Sequence, residues 1–460
     1  MDLGLHRVQA LLQRVGTPQA VFPVIHVAGT NGKGSTTAYM DALLTHAAGL
    51  RAARFNSPHL VSPRDCVRVG GGEPIDEHTW ARARERVHAA DAAAAICATP
   101  FELLTAQALV AFTLLPDNAR PHVLVIEVGV GGRFDATNVF PRECILASVI
   151  CPIAHDHERL LGHGLTAITR EKAGIIKDGG LCVIADQAQA GAAHPEVAAA
   201  LREACAERGA RVAQGTIPWA AMHVARRAGG ASARFALRLA PTAGVHGPQP
   251  PTIPLELECT HARIVGCTTA LQTLWSIAYD APGTSTAAAA HVRASLRRMF
   301  EQDSRIHAAL ARYRWEGRCE WITLGTTTVL LDGAHNEASA AALRRYLDDC
   351  GHRDMTWVMA ISQGKAAGAM FDALFRNGRH RVAFVPFSAV EDMPWVRPLS
   401  PAALAAQVRA GHWPVDDVRA FDSLDEALAW TRAAPHVVVC GSLYLVSDFY
   451  RSARASGSSS

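Results

Sequence analysis

The sequence has almost no excess of charge of either sign. Its 45 lysine and arginine residues oppose 42 aspartate and glutamate residues, for a formal net charge of +3. A nucleic-acid-binding protein normally clusters Lys and Arg on a basic face, so this balance argues against a nucleic-acid partner. The hydrophobic fraction of 49% excludes general disorder. At roughly 150 residues per domain, the 460 residues suffice for two or three domains, each with its own core.

Paired cysteines and long apolar segments are also lacking. The 11 cysteines are scattered singly, with no CxxC pair and no histidine partner at zinc-finger spacing, which is typical of a reducing compartment. The longest apolar stretch, near 103–115, is too short and too polar to span a bilayer and predicts a core helix. The N-terminus has an acid at position 2 and no apolar segment, so no secretory or transit signal is indicated. We expect a cytoplasmic protein without a membrane partner.

Alternating strand-like and helix-like segments indicate an α/β chain. Up to about residue 190, β-branched runs are separated by amphipathic stretches, which predicts a mostly parallel sheet with helices on both faces. Residues 211–259 alternate more loosely and predict a β-hairpin with a long surface loop. A predicted helix follows this region, and a break at 281–285 ends that helix before a second helical segment begins. The predicted strands before residue 190 cover 24–28, 123–128, 145–150 and 181–185.

The same alternation restarts near residue 314 and predicts a second, smaller domain. We therefore predict a first α/β domain at 1–313 and a Rossmann-like α/β domain at 314–454. The small polar residues 455–460 predict a disordered tail. The strand-like runs of the second domain cover 328–331, 356–360, 381–385 and 436–440.

A glycine-rich turn between the first predicted strand and a predicted helix over 36–46 is the sharpest local signal. Such a turn lets backbone amides close on phosphate oxygens, while the helix dipole and one lysine add positive charge. The spacing departs from the GxxxxGK[ST] pattern, because Gly34 stands between Lys33 and Ser35. An ordinary turn needs one or two glycines, so this composition favours a phosphate-binding loop. The turn consists of Gly29, Thr30, Asn31, Gly32, Lys33, Gly34 and Ser35.

A carboxylate near the end of the next apolar strand is a candidate ligand for Mg²⁺. Ligands of open parallel sheets bind at the carboxyl ends of the strands, which would place Glu127 beside the phosphate loop. Mg²⁺ prefers hard oxygen ligands and keeps several waters, so one or two protein ligands suffice. The alternative is a strand-end acid that caps a helix. Two further patterns, at 155–157 and 170–177, are by themselves typical of a solvated loop and a helix C-terminus.

Together these residues resemble the folylpolyglutamate synthase and dihydrofolate synthase family, related to the Mur ligases of cell-wall synthesis. The resemblance implies an ATP-dependent amide ligase: ATP phosphorylates a substrate carboxylate, and the amine of glutamate attacks the acyl phosphate. It implies ATP and Mg²⁺ as cofactors and dihydropteroate or folate and L-glutamate as small-molecule substrates; we expect a monomer. The shared motifs lie at 2–7, 29–35, 57–60, 101–105, 127–138, 156–162, 171–175, 317–318, 332–336 and 441–444.

The resemblance also implies roles for single residues around the phosphates. The metal ligands fall on Ser57, Glu127 and His157. Lys172 matches a lysine that such enzymes carry as a carbamate, an anion that can hold a second metal ion. Four residues carry the implied catalytic roles: Lys33, His157, Lys172 and His335. The implied ATP contacts are Thr30, Asn31, Gly32, Lys33, Gly34, Ser35, Gln272, Arg318 and Asp332.

The substrate contacts implied by the resemblance fall in both predicted domains. Incoming glutamate would be held by His335 and Ser442. Contacts on the pterin side would come from Asp2, Leu3, Gly4, Thr99, Pro100, Phe101, Glu102, Arg133, Phe134 and Asp135.

The chain departs from the family pattern where adenine would bind. The family has an asparagine there, in an HQxxN motif, whereas this chain has Gln272, with the amide on a longer stem. The opening residues 2–7 and 16–19 look more like fungal-type dihydrofolate synthases, and 63–69 lack the Glu-Arg pair common in polyglutamate synthases. We therefore favour ligation of glutamate to dihydropteroate over extension of a folate tail, with a bifunctional enzyme as an alternative.

A different class of protein remains open at this point, namely a P-loop nucleotide switch or kinase with a regulatory C-terminal module. A nucleotide-dependent scaffold without turnover is a third option. The second set of site-like residues argues against the switch, because a switch would not need Asp332, His335, Asn336 and Ser442 at strand ends.

Overall fold

The computed structural model describes the chain in nine stretches and divides it into two compact units. The first unit holds residues 1–222, 234–256 and 262–314, and the second holds 223–233, 257–261 and 315–460. Two short segments before residue 262 thus group with the C-terminal part, which no local sequence signal indicated. The predicted break at 281–285 and residues 456–460 of the predicted tail lie outside the described residues. These are 4–187, 194–227, 230–242, 248–258, 260–279, 286–324, 327–389, 396–432 and 434–455.

The described part of the first unit is built on an eight-stranded sheet in the order β4-β3-β2-β5-β1-β6-β7-β8. In this order, every neighbouring pair between β2 and β8 is parallel. At the other edge, β3 pairs antiparallel with β2, and β4 pairs antiparallel with β3. The predicted mostly parallel sheet is therefore confirmed. Its strands are β1 (Val24–Ala28), β2 (Ala52–Phe55), β3 (Val67–Val69), β4 (Glu73–Pro74), β5 (Val123–Glu127), β6 (Ile145–Ile150), β7 (Leu181–Ile184) and β8 (Arg211–Gln214).

Every residue of β1 and β5 is buried, as expected for parallel strands covered by helices on both faces. The helix predicted over 36–46 begins earlier, at Lys33, and changes to a π-helical turn at Leu43–Ala47. The predicted core helix near 103–115 begins at Pro100. The helices of this unit are α1 (His6–Arg14), α2 (Lys33–Ala42), α3 (Glu77–Ala94), α4 (Pro100–Leu114), α5 (Glu158–Leu161), α6 (Leu165–Ala173), α7 (Pro195–Glu207), α8 (His261–Tyr279), α9 (Ala287–Phe300) and α10 (Asp303–Leu310).

A three-stranded sheet follows the order β11-β10-β9. Its strands are β9 (His223–Arg227), β10 (Gly230–Arg238) and β11 (Thr252–Glu258). Along β11 buried and exposed residues alternate, which is the pattern of a sheet with one covered face.

The second unit contains a six-stranded sheet in its described residues, in the order β12-β13-β17-β14-β15-β16. All of its pairs are parallel except β12 with β13. A core of Trp357, Phe371 and Phe384 lies against this sheet. The strands are β12 (Glu320–Leu324), β13 (Thr327–Leu331), β14 (Met355–Met359), β15 (His380–Phe384), β16 (Val415–Ala420) and β17 (His436–Cys440); the helices are α11 (Glu337–Cys350), α12 (Ala367–Leu374), α13 (Pro401–Ala410), α14 (Leu424–Trp430) and α15 (Leu443–Ala455).

Two further properties concern the described residues as a whole. Their ten cysteines are free thiols. None of the helices in the stretches given above is both long and apolar enough to cross a membrane.

Candidate active site

The glycine-rich loop joins the carboxyl end of β1 to the first turn of α2. Gly29 has a φ of 146°, and a Cβ at this position would lie 2.6 Å from Cys151 Cβ, so the loop needs glycine here. The loop leaves the amides of Lys33, Gly34 and Ser35 in the first helical turn, where no helical carbonyl can accept them. This is the arrangement expected of a phosphate-binding loop.

Thr30 and Asn31 fix the position of the loop through hydrogen bonds to the segment after β6. Their main-chain amides donate to the carbonyl of Pro152 at 2.9 and 3.1 Å. The Thr30 hydroxyl donates to the carbonyl of Ala154 and accepts from the amide of Ala154, both at 3.1 Å. Thr30 and Asn31, both among the predicted ATP contacts, thus hold the loop against the segment after β6. The amides of the first turn of α2 are the ones placed for an anion.

Lys33 and Glu127 meet at the carboxyl ends of two adjacent strands. Glu127 is the last residue of β5 and pairs in register with Val27 of β1. Lys33 Nζ lies 3.8 Å from Glu127 Oε1, with side-chain exposures of 15% and 7%, and 3.4 Å from the carbonyl oxygen of Thr30. Glu127 therefore lies beside the phosphate loop, as predicted, while its role as a metal ligand stays a prediction.

Asn56 connects Glu127 to the predicted ligand Ser57. Asn56 follows β2 directly, and its Nδ2 donates to Glu127 Oε2 at 2.7 Å. The same Nδ2 donates to the hydroxyl of Thr37 on α2, also at 2.7 Å. Ser57 is the next residue along the chain and is half-buried. Sequence reasoning missed Asn56, although a polar residue directly after a buried strand was a usable signal.

Lys172 is a buried lysine close to the same loop. It lies near the end of α6, and its Nζ donates to the carbonyl of Gly29 at 2.9 Å. Burial, aided by the nearby cation of Lys33, lowers the pKa of Lys172 to about 7, although Asp156 and Asp135 act in the opposite direction. At neutral pH a large share of this amine is therefore uncharged.

His157 is more exposed than the other two predicted metal ligands, Ser57 and Glu127. Its side chain is 41% exposed, and Nε2 lies 3.7 Å from Asp156 Oδ2. The described residues contain no group of three or more His, Cys, Asp or Glu side chains arranged to hold a metal ion. Of the three predicted metal ligands, Glu127 is hydrogen-bonded to Asn56, which precedes Ser57 in the chain, and the metal-binding roles of Ser57, Glu127 and His157 stay predictions.

Asp135 holds its own loop through hydrogen bonds to Val130 and Thr137. Its Oδ2 accepts from the amide of Val130 at 2.9 Å, and its Oδ1 accepts from the amide and the hydroxyl of Thr137 at 3.0 and 2.5 Å. Burial raises the pKa of Asp135, and the Thr137 hydrogen bond opposes that rise. The same Thr137 hydroxyl lies 2.9 Å from Nε2 of the buried His26. Asp135 thus belongs to a buried hydrogen-bond network, and its predicted pterin contact stays a prediction.

The neighbouring residues Arg133 and Phe134 are exposed. The Arg133 side chain is 52% exposed and lies 3.7 Å from a carboxylate oxygen of Glu171. Phe134 is 46% exposed, which is unusual for so large an apolar side chain. These two residues, unlike Asp135, are available to a ligand.

Three of the predicted pterin contacts around residue 100 form the start of α4. Thr99 is the N-cap, Pro100 is the first helical residue, and Glu102 closes a capping box. Glu102 Oε2 accepts from the Thr99 amide at 2.7 Å and from Arg7 Nε at 3.0 Å. Their side-chain roles are therefore structural in this arrangement. Phe101 packs with its ring centroid 6.2 Å from that of Phe55, Gly4 is half-buried, and Asp2 and Leu3 lie outside the described residues.

The structure does not support the predicted adenine contact of Gln272. This side chain is fully buried on α8. Its amide oxygen accepts from the Ala240 amide at 2.8 Å, and its amide nitrogen donates to the Ala240 carbonyl at 2.9 Å and to Ser276 Oγ at 3.1 Å. Gln272 thus links the chain after β10 to α8 through hydrogen bonds.

The C-terminal candidates meet at the carboxyl ends of β13 and β17, which are parallel neighbours. Asp332 accepts from the amides of Cys319 and Ala334 at 2.9 and 2.8 Å. A Cβ on Gly333 would collide with the Arg318 guanidinium, so Arg318 passes close over this turn. His335 Nδ1 lies 2.9 Å from the carbonyl oxygen of Gly333.

Ser442 completes this C-terminal group. It is buried just after β17, and its Oγ accepts from the amide of Tyr444 at 3.2 Å. The preceding amide, of Gly441, donates to the carbonyl of Ala334 at 2.9 Å. Arg318, Asp332, His335 and Ser442 are thus brought to one sheet edge, whereas Asn336 is the N-cap of α11 and serves the helix.

Known proteins match both parts of the chain. Residues 318–452 match the family model described as Dihydrofolate synthetase, C-terminal domain. The chain is 31% identical to the dihydrofolate synthase/folylpolyglutamate synthase of Mycobacterium tuberculosis, over 81% of this chain and 72% of that protein. The chain belongs to the dihydrofolate synthase/folylpolyglutamate synthase family.

Other members of the dihydrofolate synthase/folylpolyglutamate synthase family match over nearly the whole length. The dihydrofolate synthetase of Saccharomyces cerevisiae is 29% identical, over 98% of this chain and 98% of that protein. Among solved structures, Mycobacterium tuberculosis folylpolyglutamate synthase complexed with ADP is 26% identical with a TM-score of 0.75, over 98% of this chain and 94% of that chain. The two-domain α/β fold predicted from the sequence is therefore the fold of this family.

Proposed function

We propose that this chain uses ATP to ligate L-glutamate to 7,8-dihydropteroate, giving 7,8-dihydrofolate for folate biosynthesis. The observation that carries the proposal is the match to a dihydrofolate synthetase over 98% of both chains, with residues 318–452 matching the C-terminal domain of the same enzyme. Carboxylate and amine do not condense readily in water. The carboxylate is therefore activated by phosphoryl transfer from ATP, and the amine of glutamate displaces phosphate from the acyl phosphate.

The phosphate loop supplies the groups that bind the ATP phosphates. The Lys33 ammonium adds a cation, and the amides of Lys33, Gly34 and Ser35 lie at the positive end of α2. A solved relative that is 26% identical carries ADP. Arg318 and Asp332 are proposed as further ATP contacts on the strength of the family motif.

The oxygen atoms beside Lys33 fit a divalent cation. Glu127 offers a carboxylate and Ser57 a hydroxyl, the hard donors that Mg²⁺ prefers. The fit rests on the hydrogen bond that ties Glu127 to Asn56, the residue before Ser57. When bound, Mg²⁺ would offset charge on the transferred phosphoryl group. His157 is proposed as a third ligand from the motif alone.

Lys172 is proposed to carry a carbamate. Its burial and its pKa of about 7 provide the uncharged amine that attacks CO₂, with loss of one proton from nitrogen. The product would be an anion close to the carbonyl of Gly29 and to the Lys33 cation. This change of charge would turn a buried cation into a ligand for a second metal ion.

Two sets of side chains are proposed for the organic substrates. Phe134 and Arg133 would contact dihydropteroate, because an exposed aromatic ring suits a flat heterocycle and an exposed guanidinium suits a carboxylate. His335 and Ser442, at the edge of the second sheet, would hold L-glutamate. We further propose a monomeric, cytoplasmic enzyme.

A second candidate function is extension of the glutamate tail of a folate, alone or alongside the first reaction. It is favoured by the Mycobacterium tuberculosis relative, whose name carries both activities. Mass spectrometry of the products formed from ATP, glutamate and either dihydropteroate or tetrahydrofolate separates the two reactions. If product forms with tetrahydrofolate and none forms with dihydropteroate, the preferred function is contradicted.

Phosphate release separates these ligases from a nucleotide switch. A ligase should release phosphate from ATP only when glutamate and its pteroate or folate partner are both present. A switch should hydrolyse nucleotide with neither of them. Phosphate release that ignores both substrates would contradict the proposal.

A further inference from the structure

A row of buried polar side chains lies behind Glu127, and two of them, Asp41 and Arg54, have no role in the function proposed above. Asp41 on α2 is 1% exposed, Arg54 on β2 is 2% exposed, and Asn56 directly after β2 is 4% exposed. Burying a charge in this way is costly unless it is paired and hydrogen-bonded. In this row, Arg54 contacts both Asp41 and Asn56, so its charge is paired.

An ion pair followed by two hydrogen bonds connects Asp41 to Glu127. Arg54 Nε lies 3.1 Å from Asp41 Oδ2. Arg54 Nη1 donates to Asn56 Oδ1 at 3.3 Å, and Asn56 Nδ2 donates to Glu127 Oε2 at 2.7 Å. The other oxygen of Glu127, Oε1, is the one that lies toward Lys33.

The chemistry of Arg54 decides which way the Asn56 amide points. A guanidinium has donors only, so the group facing it must be the amide oxygen of Asn56. The amide nitrogen then faces Glu127, where a carboxylate can only accept. Thr37 supports the same orientation, because its hydroxyl donates to the carbonyl of Gly34 and is left to accept from Asn56. With the amide reversed, an oxygen would face the Glu127 carboxylate and the contact would repel.

We propose that Arg54, held by Asp41, is a positioning residue that acts through Asn56 to fix the carboxylate of Glu127 for a divalent cation. One oxygen of Glu127 is bound by Asn56, and the other is presented beside Lys33. This inference rests on the proposed function, since it assumes that Glu127 is a metal ligand. Groups that orient a metal ligand typically affect metal affinity about 10- to 100-fold when removed.

The test measures Mn²⁺ binding to the full chain by electron paramagnetic resonance of the free ion, a readout independent of turnover. Glu127→Gln defines the binding that depends on Glu127. Against that reference we compare Asn56→Leu, Arg54→Met and the double variant. Arg68→Met is the matched control, because Arg68 is buried opposite Arg54 on the paired strand and donates to the backbone carbonyls of Asp65 and Gly72.

We expect Asn56→Leu and Arg54→Met each to weaken Glu127-dependent Mn²⁺ binding about tenfold. The double variant should be no weaker than Asn56→Leu alone, because residues that act through one another are not additive. Arg68→Met should retain the affinity of the unmodified chain. The Mg²⁺ concentration that half-activates ATP turnover should shift in the same order.

Three results would overturn the inference. Additive effects in the double variant, unchanged Mn²⁺ affinity in Arg54→Met, or an equal loss in Arg68→Met would each show that Arg54 does not act through Asn56. If Glu127→Gln itself leaves Mn²⁺ binding unchanged, the proposed metal site fails instead, so the two failures are distinguishable.

Arg54→Met leaves Asp41 buried without its partner, so a second variant guards against simple misfolding. Asp41→Leu combined with Arg54→Met removes both charges together, which is often tolerated far better than removing one. If this double variant folds with a normal thermal midpoint, it should still show the tenfold loss of Mn²⁺ affinity. Full Mn²⁺ affinity in the folded double variant would contradict the inference.

Discussion

Replacement of Lys33 by methionine should nearly abolish ligation while leaving the fold intact. The Lys33 ammonium lies 3.8 Å from Glu127 Oε1 with 15% of its side chain exposed, so its charge acts in a mostly desolvated site. Two unit charges about 4 Å apart interact by about 4 kcal/mol at an effective dielectric near 20. A loss of about 3 to 4 kcal/mol of transition-state stabilisation corresponds to roughly a 10²- to 10³-fold fall in kcat.

The assay for Lys33→Met is phosphate release with ATP, glutamate and dihydropteroate all saturating. Lys177→Met is the matched control, because this part-buried lysine bonds Asn138 Oδ1 at 2.8 Å and has no proposed role at the phosphates. Since Lys33 lowers the pKa of Lys172, Lys33→Met should also raise the Lys172 pKa. A Lys33→Met enzyme within a few fold of normal kcat would refute the phosphate-loop assignment.

The remaining predictions concern titration and substrate contact. The pKa of Lys172 is about 7 in the folded chain and near 10.5 in the unfolded chain, so the unfolded chain binds more protons between these two pH values. The free energy of unfolding should therefore rise with pH across that window. Lys172→Met should flatten this rise, as measured by denaturant unfolding. The sequence has only four lysines, so ¹³CO₂ should give a carbamate resonance that vanishes in Lys172→Met; a signal that persists would place the carbamate elsewhere. His26 has a folded pKa of about 3, chiefly from burial, so its contribution to stability should be lost as pH falls from about 6.5 toward 3, and His26→Leu should make acid unfolding less steep. Phe134→Ala should raise KM for dihydropteroate about tenfold, as for a lost aromatic contact of about 1.4 kcal/mol, with KM for ATP unchanged; equal shifts in both constants would contradict a pterin-side role.

The strands that were predicted are mostly apolar runs, whereas short or polar strands such as β2, β4 and β16 were not predicted. Parallel strands buried on both faces are mostly apolar, and β1, β6 and β17 begin and end where their apolar runs do. The phosphate loop was also predictable, since glycine spacing and a lysine are local features. The segments 223–233 and 257–261 were not, because their grouping with the second unit follows from tertiary packing.

The site was harder to predict because residue type does not show which atoms are already bonded. Glu102, Asp135 and Gln272 all stand where the family resemblance implies a ligand contact, yet each makes hydrogen bonds within the fold. Asn56 was missed for the converse reason: its partner Glu127 lies 71 positions away. The contact exists only after β2 and β5 pair.

The central claim is that this chain forms an amide between dihydropteroate and glutamate at the expense of ATP. The most direct measurement is the mass of the product after incubation of the full chain with ATP, Mg²⁺, dihydropteroate and ¹⁵N-labelled glutamate. The account predicts dihydrofolate carrying one labelled glutamate, with one phosphate released for each molecule formed and none when either organic substrate is left out. Phosphate release without labelled dihydrofolate, or labelled product without consumption of ATP, would contradict it.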